Sequence, residues 1–187
     1  MRLEATLARD TLVRVIRQML PLRIDLGSGG TSPSRYLLLA DPTEVDLVAA
    51  SGLRLACRAE VRWPVLGLLD IPLHARNLSV LLRPALSQRG PTRLLVFRLQ
   101  IERSDIAGLP AGVEEKLRTW VNRALDEHDV ELAWNLHNTF DRAIGLPALL
   151  TSLASLDLAL TDASVEVTED AFRLQIALDP NISRTGG

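Results

Sequence analysis

The side chains able to do chemistry are few and dispersed. Three histidines, His74, His128 and His137, stand without the short spacings of a metal site. His74 falls in a strand pattern, and His128 and His137 flank a strand-like run around Trp134. Two of them could meet a carboxylate and form a site; the plainer reading sets all three on a surface or rim. Cys57 is the single cysteine, which excludes an internal disulfide and any multi-cysteine zinc site. It falls on the apolar side of its strand with nothing adjacent to depress its pKa, so it reads as a small buried hydrophobe. The run Gly27-Ser28-Gly29-Gly30-Thr31-Ser32-Pro33 lacks the Lys-Ser/Thr of a phosphate loop. G-x-S-x-G, H-E-x-x-H and G-x-G-x-x-G are absent. Glu114-Glu115 reads as the solvated first turn of a helix. No catalytic residue, metal or cofactor is therefore expected, and the protein is not expected to be an enzyme.

Aliphatic surface is what the chain has in quantity. Of 187 residues, 47% are hydrophobic and only 4% aromatic, and 37 are leucine. That is enough for one domain with an aliphatic core. The net charge of −2 recruits neither nucleic acid nor an anionic membrane globally. It is unevenly spread: residues 1–98 carry 14 arginines against 8 acids (+6), and residues 99–187 carry 7 bases against 15 acids (−8). Either the halves neutralise each other on folding or the first faces an anion. Glu4 and Asp10 interrupt the N-terminal segment before an apolar leader core could form, and no run approaches the roughly 20 apolar residues of a membrane span. The chain as written predicts a soluble cytoplasmic protein, or a periplasmic one if a leader was removed.

The elements follow from periodicity. Leu3 and Leu7, then Leu12, Val15, Ile16, Met19 and Leu20, recur at spacings of three and four, predicting a helix over 3–20 that Pro21 stops. Leu22, Ile24 and Leu26 alternate as a short strand. Tyr36–Ala40 and Val45–Ala49 read as two strands separated by Asp41-Pro42. Residues 52–62 alternate most cleanly, with Leu53, Leu55, Cys57, Ala59 and Val61 on one face and Arg54, Arg58, Glu60 and Arg62 on the other. Residues 69–83 alternate with a phase change at Arg76-Asn77, which predicts a β-bulge, and Pro72 an edge or bend. Residues 92–103 alternate through Leu95, Phe97, Leu99 and Ile101. Ile106-Ala107-Gly108-Leu109-Pro110 turns into a helix over 111–126, with Val113, Leu117, Trp120, Val121, Ala124 and Leu125 on one face. A strand around Trp134, a short helical or irregular piece from 147, and strands to residue 179 complete one domain over 1–180. Asp179-Pro180 is expected to end it, leaving 181–187 as a flexible tail.

Strands of 11 to 15 residues would span roughly 35–50 Å, so the sheet must twist and bend strongly. The two helices, about 18 and 15 residues long, could leave part of that face uncovered. An uncovered aliphatic face closes on itself, forms a homodimer or receives a ligand. Two functions follow: non-catalytic binding or transport of a lipid or other apolar molecule, or a protein-interaction module with a fully packed core and no small ligand.

The order of elements is similar to that of the TULIP superfamily of tubular lipid-binding proteins, which includes the bactericidal/permeability-increasing protein fold and small bacterial single-domain relatives. What carries the resemblance is the first amphipathic helix ending in Met19-Leu20-Pro21, the meander of long alternating strands, and the Ile106–Pro110 turn into a second amphipathic helix, across residues 3–179. The resemblance implies an α+β fold, a long and highly curved antiparallel sheet wrapped around helices. It also implies an elongated apolar groove and no catalysis. By position it places Leu12, Val15, Ile16 and Met19 in that groove, with Leu53, Leu55, Cys57 and Val61. Leu95, Phe97 and Leu99 join them, and Leu117, Trp120 and Val121 come from the second helix. Relatives of this kind are usually exported, which the chain as written does not show, and no headgroup site is marked beyond the basic stripe Arg54, Arg58 and Arg62.

Overall fold

A computed structural model describes residues 2–27, 35–63, 72–89, 92–127, 131–135, 143–144 and 154–184. The elements run β1 (Arg2–Ala8), α1 (Arg9–Met19), β2 (Leu22–Asp25), β3 (Tyr36–Val48), β4 (Gly52–Arg62), β5 (Leu73–Arg89) and β6 (Thr92–Ile106). They continue through α2 (Ala111–Glu127), β7 (Glu131–Asn135), β8 (Ala143–Ile144), β9 (Ala154–Val167) and β10 (Ala171–Arg184). The fold is α+β. Strands β2 to β7 form a strongly curled antiparallel six-stranded sheet in sequence order, and a second antiparallel sheet has the order β1-β10-β9-β8.

The curl has a local cause. Register slips occur in the β3–β4 pair around Pro42, in β4–β5 between Cys57 and Ala59, and in β5–β6 between Ala75 and Asn77 and between Ser79 and Val80. Each inserted residue bends its strand and adds right-handed twist, and here the slips fall on neighbouring strands. The phase change at Arg76-Asn77 is thus a bulge, as its spacing predicts. Across the concave face the apolar residues stand in rows. Leu47, Leu53, Leu82 and Leu99 are successive cross-strand partners, as are Val45, Leu55, Val80 and Ile101. Most of these residues are buried in one core cluster, and Leu47 packs against it half-buried.

Several boundaries differ from the sequence expectation. The helix expected over 3–20 is a strand followed by an 11-residue helix. Leu3, Ala5 and Leu7 also alternate with Glu4 and Thr6, and pairing with Ile176, Leu174 and Phe172 of β10 selects that period over the helical one. The two strands expected at 36–40 and 45–49 are one, β3, because Asp41 takes a positive φ of 45° and the Asp41-Pro42 break becomes a bulge. Strand β5 begins after Pro72 and runs on to Arg89, and β6 runs to Ile106. Strand β10 stays paired with β9 through Pro180 to Arg184, past the Asp179-Pro180 break expected to end the ordered chain. The strands expected near 156–160 and 165–167 are one element, β9, with a slip opposite Ala177 and Leu178. The glycine-rich run after Gly27, His128, His137 and the piece expected from 147 to 153 lie outside the described residues.

Helix α2 buries Leu117, Val121, Ala124 and Leu125 and packs on β6. Its Asn122 closes a two-bond clamp on that strand. The Ile101 N–H donates to Asn122 Oδ1 at 2.8 Å, and Asn122 Nδ2 donates to the Ile101 carbonyl at 3.0 Å. Among the described residues β7 pairs β6 at Leu94–Arg98, and at Ile101 the side-chain amide makes the two bonds that a neighbouring strand would make. The Arg118 guanidinium adds a 2.6 Å bond to the Glu102 carbonyl.

Candidate functional site: an apolar cleft under the first helix

The cleft begins with the placement of α1. Arg9 Nε donates to the Val45 carbonyl at 3.1 Å, and its guanidinium pairs with Asp46, which fixes the helix start against β3. With 3.6 residues per turn, Leu12 and Ile16 then face inward and are buried, while Val15 and Met19 fall on one flank. Opposite them the curled sheet presents Leu53, Leu82, Leu95, Phe97, Leu132 and Ala133. The second sheet supplies Leu7 and Phe172, cross-strand partners on β1 and β10. The Phe172 ring meets Phe97 at 5.9 Å between centroids with a 34° tilt, a contact that joins the two sheets at the cleft.

Between these elements lies a cleft of about 340 Å³. That is within the range of small-molecule sites, roughly 300–1,000 Å³. Every lining side chain is apolar. The cleft is open along α1, where Val15 is 42% and Met19 48% exposed. Leu86, the cross-strand partner of the lining residue Leu95, is 40% exposed. Such a surface can shed water onto a hydrocarbon and has no side-chain N–H or O–H donor with which to orient a polar group.

Of the positions expected in a groove, the structure brings together Leu12, Val15, Ile16, Met19, Leu53, Leu95 and Phe97. Leu55, Cys57, Val61 and Leu99 lie on the same concave face, buried in the core away from the cleft lining. Leu117 and Val121 are buried in the packing of α2, and Trp120 is partly exposed on that helix. Sequence reasoning did not single out Leu7, Leu82, Leu132, Ala133 or Phe172. Leu82 and Phe172 stand in clean alternations, but nothing local says that their strands meet at one place.

The reactive side chains stand apart from the cleft. Cys57 is fully buried, and burial pushes its thiol up to about 11, away from the thiolate a nucleophile needs. His74 is 74% exposed, with Nδ1 3.8 Å from Glu60 on the convex face. Glu60 also accepts a hydrogen bond from the Tyr36 hydroxyl, which raises the Tyr36 pKa. A polar cleft of about 500 Å³ on that face contains Arg54 and Glu102. Arg54 Nε donates to Glu102 at 2.6 Å, and the guanidinium, with help from the Ser79 hydroxyl, holds the Glu102 carboxyl below its ordinary value. Among the described residues, no three His, Cys, Asp or Glu side chains converge to hold a metal ion.

No family model matches the chain, and no curated protein matches it either. Among solved structures, a crystal structure of a lipopolysaccharide binding protein is similar at 14% identity and a TM-score of 0.35. The likeness covers 96% of this chain and 50% of that one, so the chain spans about half the length of that protein. At this identity and score, the likeness says nothing of what this chain binds. Among the described residues, no helix is long and apolar enough to cross a membrane.

Proposed function

We propose that the protein binds the hydrocarbon part of an amphiphile, such as a fatty acyl chain, in the cleft under α1, without covalent chemistry. The observation that carries the reading is that apolar side chains line a cleft of about 340 Å³ that opens at Val15 and Met19. Emptied of ligand, such a surface is hydrated at a cost that hydrocarbon removes, at roughly 0.8 kcal/mol per buried methylene. Because the lining has no polar side chain, the headgroup stays at the rim or in water, and selectivity rests on chain length and shape.

Displacement of a fluorescent fatty acid in vesicle-free buffer tests this directly, with native mass spectrometry of the gently purified protein to detect lipid carried along. Wild type is expected to bind saturably. Ile16→Trp, which fills the cleft from α1, is expected to lose binding with its circular dichroism spectrum intact. A protein stripped of lipid that takes up no fatty acid would sink the proposal and leave a protein-interaction module as the reading.

A further inference from the structure

We infer that the cleft takes one acyl chain of medium length, about ten carbons, with its methyl end seated against Leu7 and Phe172 and its polar end left at Met19. This rests on the acyl-binding reading and names the class of amphiphile that the same cleft selects. The two ends of the cleft differ. Strand β1 passes into α1 without a loop, Ala8 being followed by Arg9, so the lining residues Leu7 and Leu12 belong to the same end. Phe172, the cross-strand partner of Leu7, is buried there, and its ring meets that of Phe97. Leu12 is buried too, whereas Met19, the last residue of the helix, is exposed. A carboxylate loses its hydration on entering an apolar end without a partner, so the chain enters methyl end first.

Length and volume set nearly the same limit. Met19 lies seven residues beyond Leu12, which is about 10 Å along the helix axis. An extended chain of single bonds advances about 1.2 Å per bond, so roughly eight bonds span that distance. By volume, a methylene takes about as much space as a water molecule, roughly 30 Å³, so a cleft of about 340 Å³ accommodates about eleven. Each methylene inside the cleft is freed of water and tightens binding about fourfold, and each one beyond it stays in water and adds nothing. The ligand selected is thus a medium-chain fatty acid or a single acyl group of that length. A long-chain or two-chain lipid leaves much of its hydrocarbon unburied.

The experiment is displacement of a fluorescent fatty acid from the full chain by unlabelled hexanoate, octanoate, decanoate, laurate, myristate and palmitate, each below its micellar concentration. Affinity is expected to rise about fourfold per methylene as far as decanoate or laurate and then to level, with palmitate within about fourfold of laurate. An apolar surface without that limit would carry palmitate roughly a thousandfold or more beyond decanoate. Such a continued rise would overturn the length limit and leave the acyl-binding reading in place. Leu7→Phe adds bulk at the buried end and should move the levelling point to a shorter chain, so that laurate loses more affinity than hexanoate. Phe172→Leu removes bulk there and should move it to a longer one. Equal losses at every chain length in both variants would overturn the methyl-first orientation, and the wild-type series decides the length limit whether or not either variant folds. A wild type that binds none of the series removes the acyl-binding reading and the length limit with it.

Discussion

Cys57 lies between Pro42 of β3 and Leu78 of β5, and its Sγ donates to the Leu78 carbonyl at 3.8 Å. Burial raises its thiol from 9.0 to about 11, so the folded state holds the proton more tightly than the unfolded chain does. Its contribution to stability is therefore complete below pH 9 and is lost as the pH rises from there to about 11. The size is about 1.4 kcal/mol per pH unit across that window. Urea denaturation from neutral to alkaline pH should show this fall in wild type and a smaller one in Cys57→Ala, and the native thiol should resist Ellman's reagent until the chain unfolds. The inert character of Cys57 was legible from its place in the alternation. Whether an inward residue meets another side chain or a void was not. Ile16 and Leu55 both face inward, yet only Ile16 lines the cleft. Leu55→Trp is accordingly expected to overpack, lowering stability by about 1–3 kcal/mol in thermal denaturation, where Ile16→Trp costs less and removes ligand.

At the scale of elements, the long strands were legible because period two, sustained over 52–62 and 92–103, has no helical rival. The segment 3–20 had a rival. Leu3 and Leu7 fit both periods, and the choice belongs to β10, more than 160 residues away in sequence. Propensity and spacing lose to pairing at such a place. The clamp at Asn122 was equally silent, since an asparagine on a helix face signals solvent unless a bare strand edge lies opposite. Asn122→Ala leaves the Ile101 N–H and carbonyl without those partners, and a loss of about 1–3 kcal/mol in chemical denaturation is expected. Gly52, which opens β4, has a φ of +145°, and a Cβ there would lie 2.1 Å from the Leu82 carbonyl oxygen. Gly52→Ala should therefore cost at least about 1–3 kcal/mol and disturb Leu82 in the cleft wall, measured as lowered stability together with weakened fatty-acid displacement.

For the whole molecule, the cleft exists because two sheets and a short helix converge. The Phe97–Phe172 contact and the bond from the Ala50 N–H to the Val167 carbonyl, at 2.9 Å, tie the six-stranded sheet to the four-stranded one. A ligand that binds only this assembled state raises its apparent stability by mass action. A fatty acid at a hundredfold excess over its Kd should add about 2.7 kcal/mol to wild-type stability and nothing to Ile16→Trp, read as a shift in Tm. What the sequence by itself determined was the long alternating strands, the bulge at Arg76-Asn77, an amphipathic α1 and α2, and a core of leucine with its cysteine inert. These depend on neighbours two to four residues apart, which the chain states directly. Only the tertiary structure decided that α1 is shortened by a strand, that the strands divide into two sheets, and that Leu7, Leu82, Leu132 and Phe172 share one cleft. Those facts depend on curvature summed over bulges on neighbouring strands and on contacts between distant segments, where no local pattern distinguishes a filled core from an open one.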